Sequence, residues 1–143
     1  MIVRSNQMAC TVIPTMRYND PKKAIEFLCA AFGFERHQVH EDGKGAVMHA
    51  ELRHGTGLVM IGPNVESEFG KYIRLPKEVG GFETQVTFIV VENPEAHFKK
   101  AKENGAEILM PLTKKDYGAT DYACRDPEGH IWSFGDYNPW AKK

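Results

Sequence analysis

Asp126-Pro127-Glu128-Gly129-His130-Ile131-Trp132-Ser133-Phe134-Gly135 reads as a tight turn feeding a strand. Asp caps its own turn, Pro presets one backbone angle, and Gly takes the positive-φ position that other residues avoid. Beyond the turn the residues alternate. Ile131 and Ser133 fall on one face, and His130, Trp132 and Phe134 on the other. The large aromatics mark the face that meets a core, so Ser133 looks to the opposite side.

Upstream of this strand the same half of the chain carries a full set of elements. Residues 85–91 form a strong strand, followed by Asn93-Pro94, a helix cap and a first helical proline. Ala96, Phe98 and Ala101 supply a modest apolar stripe, and Gly105 stops the helix. Strands over 108–112, 119–125 and 130–137 complete a β-α-β-β-β unit.

The first half repeats this order. A strand over 11–18 contains Pro14, which demotes it to an edge, bulge or crossover position. Asp20-Pro21 caps a helix whose Ala24, Ile25, Leu28, Ala31 and Phe32 share one face, and Gly33 ends it. A strand over 34–41 breaks at Asp42-Gly43. The next, over 46–53, sets Ala46, Met48, Ala50 and Leu52 against Val47, His49, Glu51 and Arg53. Residues 58–61 close the unit. Asp20 and Asn93 lie 73 positions apart and Gly33 and Gly105 lie 72 apart, so the chain is an internal duplication. The fold class expected is α+β, with tandem β-α-β-β-β modules over about 10–63 and 82–137 forming a curved-sheet cup in one domain. The polar connection over 64–81 is either a linker or a loop over a binding site.

Bulk properties exclude several function classes. With 143 residues, 42% of them hydrophobic, and a net charge of -1, the chain can bury a core but lays down no electrostatic footprint for nucleic acid or an anionic membrane. Lys99-Lys100, Lys114-Lys115 and Lys142-Lys143 are short basic spots on a solvated surface. Residues 1–10 show no signal-peptide pattern and no stretch suits a membrane span. Cys10, Cys29 and Cys124 form neither a CxxC nor an even disulfide set, so a cytoplasmic protein with reduced thiols is expected.

The two Asp/Asn-Pro-capped helices, the run from Ile25 to Glu35 (Ile-Glu-Phe-Leu-x3-Phe-Gly-Phe-Glu) and the Asp126-Pro127-Glu128-Gly129-His130-x-Trp132 turn together resemble the vicinal oxygen chelate superfamily. That superfamily comprises glyoxalase I, extradiol dioxygenases and the fosfomycin- and bleomycin-resistance proteins. The resemblance implies two modules curled into a cup, and commonly a homodimer. It also implies, for the metal enzymes, His, Gln or Glu ligands on the first and last strands of each module. Here those positions fall at or beside Ile13, within Leu58-Val59-Met60-Ile61, at Gln85 or Val86, and at Ser133. This set offers at most two neutral oxygens, so the family's metal site is expected to be absent and no cofactor is implied.

Other residues carry candidate chemistry. His49 and Glu51, two apart on one strand, share a face opposite the apolar one and are weak candidates for acid/base work. Tyr122 and Cys124 alternate with Asp121, Ala123 and Arg125, and Arg125 beside Asp126 reads as a local ion pair. Trp140, beyond the last strand, and Phe69 and Tyr72, in the connection, are placed to cover the cup mouth. The function expected is a metal-independent small-molecule-binding protein of the bleomycin-resistance type. It would take an aromatic or amphipathic ligand against Ile13, His49, Glu51, Met60, Val86, Tyr122, Ser133 and Trp140. The alternative is a glyoxalase-like lyase or isomerase, or a dioxygenase, using a divalent metal or the His49/Glu51 pair. Pro14 points further, to a homodimer that exchanges its first strand.

Overall fold

The structure, a computed structural model, describes residues 8–141. The leaderless reading of residues 1–10 and the Lys142-Lys143 tail therefore fall largely outside the described residues.

Module one runs β1 (Thr15–Tyr18), α1 (Pro21–Phe32), β2 (Glu35–Glu41), β3 (Val47–His54) and β4 (Gly57–Pro63). Module two runs β5 (Thr87–Val90), α2 (Pro94–Glu103), β6 (Glu107–Lys114), β7 (Thr120–Arg125) and β8 (Ile131–Gly135). Each module is a mixed sheet of four strands, ordered β1-β4-β3-β2 and β5-β8-β7-β6. In both, the first strand lies parallel to the last, Thr15 opposite Met60 and Phe88 opposite Ser133. The duplication read from the helix caps thus extends to strand register. Thr15 and Phe88, like Met60 and Ser133, are 73 positions apart.

The helices start and stop where their caps dictate. The Asp20 carboxylate accepts from Lys23 N at 3.1 Å, the Asn93 side chain accepts from Ala96 N at 3.1 Å, and Gly33 closes α1 at φ 83°. The apolar face of α1 buries Ala24, Ile25, Leu28, Ala31 and Phe32. The Phe32 ring lies 4.7 Å from Phe134 and 5.6 Å from Trp132, so the helix of module one packs on the closing strand of module two. One core cluster draws on both modules through these contacts.

Three details depart from the sequence reading. β1 begins at Thr15, because Pro14 has no N–H for the ladder, although its carbonyl still accepts from Met60 N at 2.9 Å. The turn between β2 and β3 is wider than Asp42-Gly43. Asp42 Oδ1 accepts from Lys44 N and Ala46 N, and Gly45 takes the positive φ of 84°. Pairing then skips from His40–His49 to Glu41–Val47, a bulge that leaves Met48 unpaired. Past the bulge the phase inverts. Val47 enters the core at 6% exposure while Met48 stays 49% exposed, and Ala50 and Leu52 are buried as expected.

Candidate functional site

β1 and β5 are the edge strands of their sheets, and a cleft of about 1380 Å³ opens along them. From module one it is bordered by Ile13, Thr15 and Arg17, with the β3–β4 hairpin beyond. From module two come Val86, Phe88 and Val90. The connection contributes Tyr72, Arg74 and Phe82, and the segment after β8 contributes Asn138 and Trp140. The stretch over 64–81 is thus a loop along the cleft, folded into two short 3-10 turns, Phe69–Tyr72 and Pro76–Val79, and pinned by buried Leu75 and Pro76. Trp140 is 88% exposed, Tyr72 82%, Phe82 76% and Phe88 43%. Four aromatic side chains are thus left open to solvent around one concavity.

Of the ligand-contacting residues expected from sequence, Ile13, Val86 and Trp140 line the cleft. Register resolves the choice between Gln85 and Val86, because Val86 stands to Phe88 as Ile13 stands to Thr15. Met60 and Ser133 lie one strand further in, partnered with Thr15 and Phe88, and do not border the cleft. His49 and Glu51 lie further out on the same face. Their contact forms as the spacing implied, His49 Nε2 donating to Glu51 Oε2 at 3.0 Å. Beside them His40 Nε2 donates to Gln38 Oε1 at 2.9 Å, and the His40 and His49 rings stack with centroids 6.0 Å apart.

Tyr122 leaves the ligand set. It is 1% exposed, on the helix-facing side of β7, and its hydroxyl donates to His97 Nδ1 at 2.6 Å. Burial raises its pKa further from neutrality. Cys124, two residues on, is fully buried, and desolvation pushes its thiol up to about 12, which makes it a core residue with no nucleophilic character. Arg125 pairs with Glu107 at 2.8 Å rather than with its neighbour Asp126. The Asp126 carboxylate is committed instead to Tyr18, Trp132 and its own turn.

The two faces of the cup differ. Across module one a single rung of Cα partners runs Gln38, Glu51, Met60, Thr15. The matching rung of module two runs Met110, Ala123, Ser133, Phe88. Of these residues only Thr15 and Phe88 border the cleft, one polar and one aromatic.

Sequence reasoning missed five side chains here. His54, at the end of β3, borders the cleft with Nε2 donating to Phe32 O at 3.1 Å, and His97 Nε2 donates to the same carbonyl at 2.8 Å. Burial lowers the pKa of both rings. His130 bridges the modules, donating from Nε2 to Arg17 O at 2.8 Å and from Nδ1 to Glu83 at 3.0 Å. Arg17 and Arg74 complete the set. Alternation with Thr15 was the available signal for Arg17, whereas Arg74 sits in a connection without periodicity.

A sequence model of the Glyoxalase/Bleomycin resistance protein/Dioxygenase superfamily matches residues 9–134. The chain belongs to that superfamily. An uncharacterized protein of Mycobacterium bovis is 30% identical over 123 residues, spanning 85% of this chain and 80% of that protein. Among solved structures, TioX from Micromonospora sp. ML1 superposes with a TM-score of 0.73 at 29% identity, over 90% of this chain and 99% of TioX. A glyoxalase/bleomycin resistance protein/dioxygenase family enzyme from Burkholderia phytofirmans PsJN shares the fold at 15% identity, with a TM-score of 0.63 over 86% and 94% of the two chains.

The divalent metal used by enzymes of this superfamily does not fit the residues present. Ile13, Met60 and Val86 offer no hard donor and Ser133 a single neutral hydroxyl. Among the described residues no group of three or more His, Cys, Asp or Glu side chains gathers to hold an ion. No step through a metal follows from this site.

Proposed function

We propose that this superfamily member binds a small aromatic or amphipathic molecule in the cleft between β1 and β5, without a metal ion, and holds it without transforming it. The observation that carries this reading is the open aromatic rim of Tyr72, Phe82, Phe88 and Trp140 around one concavity. Val86 and Phe88 from module two, beside Thr15 and Arg17 from module one, suit a ligand with both characters. Aromatic rings contribute most of such binding through contact area, with stacking adding about 0.5–1.5 kcal/mol per pair.

The same reading takes the two modules as one domain and the protein as a cytoplasmic homodimer. Met48 on β3 and Met110 on the edge strand β6, 49% and 58% exposed, are surface that a second copy would cover. The free Cys10, Cys29 and Cys124 suit a reducing compartment. A monomeric mass in sedimentation would contradict the dimer.

Melting shifts across a panel of aromatic compounds, together with metal analysis of the purified protein, test the reading. Stabilisation by aromatic compounds in metal-free protein is expected. Stoichiometric zinc, nickel, manganese or iron would overturn it. A second reading rests on the 3.0 Å His49–Glu51 contact, which can serve a proton transfer. A glyoxalase-type turnover lost in His49→Ala at an unchanged melting temperature would support it, and equal turnover would remove it.

A further inference from the structure

Arg17 and Arg74 reach the cleft from different parts of the chain and meet at one residue. Arg74 NH1 donates to Gly70 O at 3.3 Å and to Ile73 O at 2.8 Å. Arg17 NH1 donates to Val65 O at 3.1 Å and lies 3.0 Å from where a side chain at Gly70 would begin. Both guanidinium groups therefore reach Gly70, where the absence of a side chain leaves room for Arg17. A Cβ there would also come within 2.8 Å of Val65 O.

Neither guanidinium has a carboxylate partner among the described residues, where the other arginine–carboxylate contacts are Arg53–Glu35 and Arg125–Glu107. Two acidic groups of this region are engaged elsewhere. Glu83 borders the cleft but accepts from His130 Nδ1 and Ile131 N, and Glu68 pairs with Lys71. The bonds these two side chains make are to the backbone carbonyls of Val65, Gly70 and Ile73, and both line the same cleft as Tyr72 and Phe88. Two adjacent uncompensated arginines repel each other. Their shared position is favourable once an anion sits between them, where planar forks grip an oxyanion by charge-assisted hydrogen bonds.

We infer that Arg17 and Arg74 form an anion subsite, and that the ligand of the cleft is an aromatic molecule bearing an oxyanion group. The inference rests on the binding function proposed above and adds its charge class. The oxyanion engages the Arg17–Arg74 pair at the connection, while the ring lies along Phe88 and Val86 toward Trp140.

Two dyes with one skeleton separate the inference from the reading beneath it. N-phenyl-1-naphthylamine is neutral, and 8-anilinonaphthalene-1-sulfonate is the same skeleton with a sulfonate. In fluorescence titrations at low salt the sulfonate should bind about tenfold more tightly than the neutral dye. The ratio should fall to within about twofold of one in Arg17→Gln and in Arg74→Gln, and should shrink as salt is added. Displacement of the neutral dye by 1-naphthoate against 1-naphthamide extends the comparison to a carboxylate. Arg74 is an exposed side chain, so Arg74→Gln carries the test if Arg17→Gln does not fold. A wild-type ratio at or below one, or a ratio unchanged in both variants, overturns the anion subsite while leaving the cleft reading intact. If neither dye saturates, the cleft reading itself fails.

Discussion

Tyr18, at the end of the first strand, donates a 2.6 Å hydrogen bond to Asp126, 108 residues later in the turn before the last strand. The same carboxylate oxygen accepts from Trp132 Nε1 at 3.1 Å, and the other accepts from Glu128 N and His130 N. At 4% exposure, Asp126 has exchanged water for four protein donors, and it joins module one to module two in doing so. Burial and the neighbouring carboxylate hold the Tyr18 pKa well above its ordinary value, so the hydroxyl stays a donor. Tyr18→Phe keeps the ring and strips one partner from a buried charge. Urea unfolding should show a loss of about 1–3 kcal/mol, with an unchanged denaturant slope.

Gly129 in the same turn sits at φ 94°, and a Cβ there would stand 3.3 Å from Pro76 of the connection. Gly129→Ala should cost about 1–2 kcal/mol through the left-handed backbone, plus whatever the displaced Pro76 adds. Gly118, also at positive φ but with open space around it, should pay only the backbone cost on the same substitution. Melting temperatures of the two variants measure the difference.

His54 and His97 predict an acid limit on stability. Both rings have pKa values lowered by burial, so the folded state disfavours their protonation relative to the unfolded chain. Their contribution is fully present above the ordinary imidazole value of 6.5, and is lost as pH falls below it toward the lower folded values. His97→Gln should flatten the decline in unfolding free energy between about pH 7 and pH 5. A slope unchanged in both His97→Gln and His54→Gln would contradict it.

Much of the fold was legible because its signals are local. Asp20-Pro21 and Asn93-Pro94 start helices, Gly33 and Gly105 end them, and their matched spacing exposes the duplication. Trp132 and Phe134 face the core as alternation required, at 0% exposure. What alternation misplaces is the strand with a bulge. Nothing in residues 46–48 announces that Met48 will be skipped and Val47 buried. The site was less legible for a related reason. Ile13 and the Gln85/Val86 pair were reachable by position in the repeat and Trp140 by its place beyond the last strand, but Tyr122 was assigned from strand position without knowing which face meets α2. His54 depends on a tertiary partner, Phe32 O, that no local pattern encodes, and Arg74 reaches the cleft only through the folding of the connection.

Trp140 and Phe88 separate ligand contact from stability. At 88% exposure, Trp140 contributes little to the fold, and Trp140→Ala should leave the melting temperature within about one degree while weakening aromatic ligands several-fold. A core truncation such as Trp132→Ala should do the reverse, costing about 3–5 kcal/mol of stability.

The central claim is a metal-free aromatic site between β1 and β5. Its most direct test is a titration of EDTA-treated protein with N-phenyl-1-naphthylamine, followed by dye fluorescence, in wild type and in Phe88→Ala. The account predicts saturable binding near one dye per chain without added metal, weakened about tenfold by Phe88→Ala as the buried ring area is lost. Absence of saturation in metal-free protein, or saturation restored only by a divalent ion, would contradict it.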